Sequence, residues 1–208
     1  MSKLTDDRKR FFAVLRREFA PRLRQVGFTG SGQNFRRSTG EVIHAINLQN
    51  NKYGGSCALN AGVHLVFLPI SWSGLPADVR TIRESDCEFR CRITPSASDY
   101  WWPYGSTERE SVANARHLID RHFSVGEAYF SKYKSSDDFV SAWPFVALEK
   151  GASASDFAGT STRLALILAR IHRHRGDHAL ARKFARWGLV NLGNASALHD
   201  DLAAIADD

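Results

Sequence analysis

The chain has 208 residues, 43% of them hydrophobic and 24% charged, with a formal net charge of +6. That composition suits one globular domain, or one domain with an extension, and excludes disordered and collagen-like classes. No run reaches the roughly 18 apolar residues of a membrane span. The opening MSKLTDDRKR lacks the apolar segment of a secretory signal, and three cysteines without a CxxC pair predict a reducing, cytoplasmic setting.

Thr5, followed by Asp6 and Asp7, suits the start of a first helix. Phe12, Leu15, Phe19, Leu23 and Val26 recur at three- and four-residue steps and make one apolar stripe. Pro21 lies within it and predicts a kink or a division, and Gly27 predicts its end. The segment GFTGSGQNFRR, from Gly27 to Arg37, reads as a glycine-rich turn leading into a short strand. Its Gly30-Ser31-Gly32 invites comparison with a phosphate loop. Here, however, the glycines follow a helix and open a strand, and Phe35 stands where a last glycine belongs, so a tight turn is the better account.

A turn at Ser38–Gly40 leads to a second strand over residues 41–49, and a polar loop leads on to a third over 57–67. In the third, Cys57, Leu59, Ala61, Val63, Leu65 and Phe67 share one face, and Asn60, Gly62 and His64 take the other. A fourth strand, 86–93, sets Cys87, Phe89, Cys91 and Ile93 against Asp86, Glu88, Arg90 and Arg92. Period-two segments joined by turns predict an antiparallel sheet with one buried face. From Thr107 the pattern turns helical, with Thr107 and Glu110 in capping-box spacing. Further helices are expected at about 126–134, 138–149, 161–175, 178–192 and 196–206. Strands followed by helices give an α+β class: a mainly antiparallel sheet of four or more strands, packed by the first helix. GASASDFAGTS (151–161) is the expected linker between a domain over 1–150 and a helical extension over 151–208 packed on it.

The polar face of this sheet is the main candidate site. Strands lie about 4.8 Å apart, so Asn47, Gln49, Asn60, His64, Glu88, Arg90 and Arg92 are expected to form one patch. Amides and guanidinium forks suit a polar or anionic ligand. Glu88 or His64 is the proton carrier if the patch does acid–base chemistry. A solvated face with cross-strand Glu–Arg pairs is the plainer reading. The run Tyr100-Trp101-Trp102-Pro103-Tyr104 either lines a pocket, with Trp101 and Trp102 as contact residues, or plugs one end of the core.

Cys87 and Cys91 on one strand face would stand about 13 Å apart, too far to share a metal ion, and read as core residues. His172, His174 and His178 lie among arginines, so no metal and no cofactor is expected. No GxSxG elbow, HExxH, Walker loop or zinc knuckle occurs.

The positive charge is concentrated. Residues 1–37 hold ten Lys/Arg against three acids, and residues 163–186 hold seven against Asp177 alone. These blocks are either a polyanion footprint or solvated helix faces, and the second is the plainer reading.

GFTGSGQNFRR, VIHAINLQNNKYGG, ALNAGVH, DCEFRCRI and WWPY occur in an order that resembles a bacterial family catalogued as domain of unknown function 4304 (DUF4304), over about residues 8–135. The resemblance implies a cytosolic α+β domain and carries no catalytic residues with it. Residues 163–189 resemble one tetratricopeptide-type hairpin, with Gly176-Asp177 at the turn and Ala169 facing Ala181. The leading expectation is a non-enzymatic binding module for a protein partner or an anionic small molecule, with no membrane role and the oligomeric state left open. A nucleic-acid-associated protein, a toxin-immunity-type protein and a hydrolase using Glu88 or His64 are the alternatives.

Overall fold

A computed structural model describes residues 3–70, 73–151, 156–157 and 159–208, with side chains from position 6 onward. The expected linker segment falls partly outside these residues. Helix α1 (Lys3–Val14) starts two residues before Thr5 and runs through a π turn (Leu15–Phe19) into α2 (Ala20–Gln25). Pro21 therefore does not divide the helix. Its ring crowds the carbonyl of Arg17 and it donates no hydrogen bond, and the wider π turn just before it accommodates both defects.

Phe11, Leu15, Phe19 and Leu23 form the buried stripe, Phe12 is half-buried, and Val26 is exposed because the helix has ended there. Phe28 N–H donates to Leu23 O at 3.0 Å and Gly27 N–H to Arg24 O at 3.1 Å, with Gly27 at φ +88°. This is the paired bonding of a glycine-terminated helix.

The sheet is antiparallel, in the order β1 (Thr29–Ser31), β2 (Asn34–Thr39), β3 (Val42–Asn50), β4 (Ser56–Leu65) and β5 (Phe89–Ile93). The short β6 (Trp102–Pro103) pairs with the start of β4. The glycine-rich segment is thus more than a turn: three of its residues form β1 on the sheet edge.

Cross-strand partners share a face, and the register sets Asn47 opposite Asn60, Asn60 opposite Arg92 and Gly62 opposite Arg90. The inner face carries Phe35, Val42, Ile46, Leu48, Leu59, Val63 and Phe89 into the main core with the helices. The outer face is not simply solvated. Ile43 and Ala45 pack with Ile82 and Cys87 in a second, smaller apolar cluster, because the chain between β4 and β5 folds back over half of that face.

The helical half begins at α3 (Glu108–Arg121), capped as expected: Glu110 N–H donates to Thr107 Oγ1 at 3.2 Å. A second π turn (His122–Gly126) carries α3 on into α4 (Glu127–Phe130), so Gly126 does not start a separate helix. The helix expected over 138–149 is two, α5 (Ser136–Ala142) and α6 (Phe145–Glu149). Trp143 precedes Pro144 and leaves helical geometry at φ −128°, ψ 64°, as the proline ring requires.

α7 (Ser161–His174) and α8 (His178–Val190) form a hairpin, Thr162 Oγ1 donating to Asn191 O at 2.7 Å across its open end, and α9 (His199–Ala206) packs on both. This hairpin meets the turn that follows β4, where His174 stacks on Phe67 at 3.7 Å between ring centres. Among the described residues no helix is long and apolar enough to cross a membrane.

Candidate functional site

The site begins with a close approach. Gly62 lies in the middle of β4, and a Cβ there would stand 2.9 Å from Cys87 Cβ and Sγ and 3.0 Å from Glu84 O. Without one, the 3₁₀ turn Glu84–Asp86 rests directly on the sheet. Three further contacts fix the segment. Arg36 Nε donates to Ile82 O at 3.0 Å and its Nη1 to Arg80 O at 2.7 Å; His64 Nε2 donates to Leu68 O at 3.1 Å; Cys87 Sγ–H points to Arg83 O at 3.4 Å. Gly62→Ala is expected to lose about 1–3 kcal/mol through overpacking, because both the turn and Cys87 must shift. Urea unfolding measures this, and a variant as stable as the wild type contradicts the close approach.

Where that turn stops covering the sheet, a cavity of about 550 Å³ opens. Asn47, Gln49 and Asn60 make its floor, and Arg83, Glu84 and Ser85 of the turn make one wall. Arg90 and Arg92 of β5 make another. The floor is held by its own hydrogen bonds. Asn47 Nδ2 donates to Asn34 Oδ1 at 2.9 Å, and Asn60 Nδ2 and Arg92 Nη2 both donate to Gln49 Oε1 at 3.0 Å. Arg92 is further fixed by Asp99 at 3.0 Å and by the Trp101 ring, whose centre lies 4.8 Å from its guanidinium carbon.

Arg90 differs: among the described residues its guanidinium has no ion-pair or hydrogen-bond partner. Glu84 has none either. Burial raises the pKa of Glu84 against the opposing pull of the Arg90 and Arg92 charges, while Asp86 adds to the rise.

Five of the expected residues, Asn47, Gln49, Asn60, Arg90 and Arg92, therefore meet in one cavity, and Trp101 lies against Arg92 without lining it. The others do not join them. His64 points to the outer face as parity requires but is fully buried under the segment it anchors. Its pKa is lowered, chiefly by that burial.

Glu88 and Cys87 depart from strand parity because β5 starts only at Phe89. Cys87 sits over Gly62 on the outer face, while Cys91 packs against the main core, so the two cysteines lie on opposite faces. Glu88 is buried and ion-paired with Arg163 of α7 at 2.5 Å. Trp102 is fully buried core, and Tyr104 beside it is buried with its hydroxyl donating to Asn50 Oδ1 at 3.1 Å. The aromatic run is thus mainly a plug, with Trp101 left at the surface.

Arg83, Glu84 and Ser85 were not expected in the site. The signal that points to them is Gly62 itself, since a glycine inside an otherwise well-formed strand marks an approaching backbone. Among the described residues no group of three His, Cys, Asp or Glu side chains is arranged to hold a metal ion.

A second polar cluster lies on the inner face, at the margin of the core. Arg37 donates from Nη2 to Glu127 Oε2 at 3.0 Å, from Nε to His44 Nδ1 at 3.2 Å and from Nη1 to Val26 O at 2.9 Å, and its guanidinium covers the Phe28 ring at 4.4 Å. His44 stacks on Phe130 at 4.6 Å and donates from Nε2 to Tyr133 O at 3.0 Å, which fixes its neutral tautomer. Burial holds its pKa down to about 4. His122 Nε2 lies 3.3 Å from Glu127 Oε1 and, being fully buried, also has a lowered pKa. Both imidazoles are buried, while Arg37 and Glu127 keep 13% and 25% of their side chains exposed.

A search of curated proteins and a search of solved structures returned no match. A family model does match, over residues 19–140, a span that takes in the whole sheet, the overlying 3₁₀ turn and every residue that lines the cavity. The chain belongs to the family described as domain of unknown function DUF4304.

Proposed function

We propose that this protein is a binding module that takes a small anionic ligand in the cavity on the outer face of its sheet. The observation that carries the reading is Arg90, a guanidinium held on a strand beside Arg92 and facing a polar cavity, with no ion-pair or hydrogen-bond partner among the described residues. Such a group binds carboxylate or phosphate oxygens through charge-assisted hydrogen bonds. The floor of interlocked amides is fixed before a ligand arrives, which lowers the ordering cost of binding.

Two arrangements favour a binder over the other readings. For a hydrolase, Glu88 is engaged by Arg163 and His64 is sealed from the cavity, so neither is placed to exchange protons with a ligand. For a nucleic-acid footprint, three of the seven basic residues over 163–186 are already paired with acids: Arg163 with Glu88, Arg170 with Asp201 at 2.8 Å, and Arg175 with Asp137.

Calorimetric titration with citrate and with inorganic phosphate tests the proposal. Saturable binding is expected in the wild type, weakened by roughly 10–100-fold in Arg90→Ala, the equivalent of one charge-assisted hydrogen-bonding group. Titrations with no saturable heat for either anion, or an Arg90→Ala variant that binds as the wild type does, sink it.

A further inference from the structure

The cavity holds charge of both signs with no ion pair between them. Arg90 contributes a free guanidinium from β5, and Glu84 contributes a half-buried carboxylate from the 3₁₀ turn opposite. The two share the cavity without pairing, and neither has another partner among the described residues. Both are held apart by the fold: Arg90 is fixed by strand pairing with Gly62, and Glu84 by the turn that Gly62 admits onto the sheet.

A simple anion meets Arg90 favourably and Glu84 unfavourably, and a simple cation meets the reverse. A ligand with an anionic group at one end and an ammonium at the other satisfies both at once. We infer that the ligand is amphoteric, a small molecule of amino-acid type whose carboxylates are taken by Arg90 and Arg92 and whose ammonium is taken by Glu84. This deepens the binding reading above and rests on it.

The energetics of Glu84 agree. Its carboxylate is desolvated by more than the nearby guanidiniums restore, so its pKa rises, and a ligand ammonium supplies the missing counter-charge. The amides beneath are already bonded to one another and to Arg92, which leaves charge, rather than hydrogen-bonding pattern, as the feature that selects among ligands of similar size.

Glutamate and glutarate form a matched pair for the test, because they have the same carbon chain and the same two carboxylates and differ in the ammonium. Affinities of both are measured by calorimetry at pH 7.5 for the wild type, Glu84→Gln and Arg90→Ala. The wild type is expected to favour glutamate by about tenfold, as for one charge-assisted hydrogen bond. Glu84→Gln is expected to reverse that order by weakening glutamate and tightening glutarate, and Arg90→Ala to weaken both.

If glutarate binds the wild type as well as glutamate does, and Glu84→Gln changes the two equally, the amphoteric inference fails while the anion site stands. If neither ligand binds the wild type, or Arg90→Ala leaves both affinities unchanged, the anion site fails and the inference falls with it. Thermal unfolding of each variant in the absence of ligand separates lost binding from lost folding.

Discussion

Arg37→Ala is expected to destabilise the protein by about 1.5–3 kcal/mol, the cost of losing hydrogen bonds to a charged group in a part-buried ion pair. Arg37 comes from β2 and ties together three other parts of the fold: Glu127 at the start of α4, His44 on β3 and the carbonyl of Val26 just past α2. Its loss leaves His44 Nδ1 without a donor and leaves the Glu127 carboxylate with His122 alone. Burial pushes the pKa of Glu127 up, but His122 and Arg37 together bring it below its ordinary value.

Without Arg37, the best remaining counter-charge for Glu127 is a protonated His122. The variant is therefore expected to raise the pKa of His122, which the Arg37 charge now helps to lower. Urea unfolding gives the stability and NMR titration of the imidazole gives the pKa. A variant that unfolds within about 0.5 kcal/mol of the wild type, below the loss expected for hydrogen bonds to a charged group, contradicts the coupling.

Acid is expected to unfold the protein well before most of its carboxylates are protonated. His44, His64 and His122 are buried, and in each burial is the leading cause of a lowered pKa. On unfolding they regain ordinary histidine behaviour near 6.5 and take up protons that the native state refuses. Between that value and the folded pKa the unfolded chain binds more protons, so stability rises with pH and falls as pH is lowered.

His44 alone, shifted from 6.5 to about 4, accounts for a loss on the order of 3 kcal/mol across that window. The other two act in the same direction, and Glu127, whose folded pKa is lowered, adds to the loss at still lower pH. The check is urea unfolding at intervals from pH 8 to pH 4.5. Stability that stays level between pH 7 and pH 5 contradicts the burial of these three rings as neutral species.

Some of this architecture was written in local pattern. Cys57 to Leu65 alternates because β4 has one face toward the helices, and the parity assigned from that alternation is the parity found. Thr107 and Glu110 cap α3 through contacts three residues apart, which spacing alone reveals. Asn47, Gln49, Asn60, Arg90 and Arg92 were gathered from parity as well, because antiparallel pairing places facing residues side by side whatever the rest of the chain does.

What sequence could not carry were features made by groups distant in the chain. Arg37 and Glu127 are 90 residues apart and Glu88 and Arg163 are 75 apart, and nothing in the local pattern of either member announces the other. The same holds for the fold-back over the outer face. Periodicity shows that Gly62, His64 and Asn60 share a side, but only the approach of the Glu84–Asp86 turn decides that His64 is sealed and Asn60 lines a cavity.

Residue periodicity thus determined which side chains leave the main core, since strand geometry is a property of neighbouring residues. Tertiary packing decided which of them became a site. That outcome depends on what covers the sheet, and the covering segment is held by long-range contacts through Arg36 and the space at Gly62.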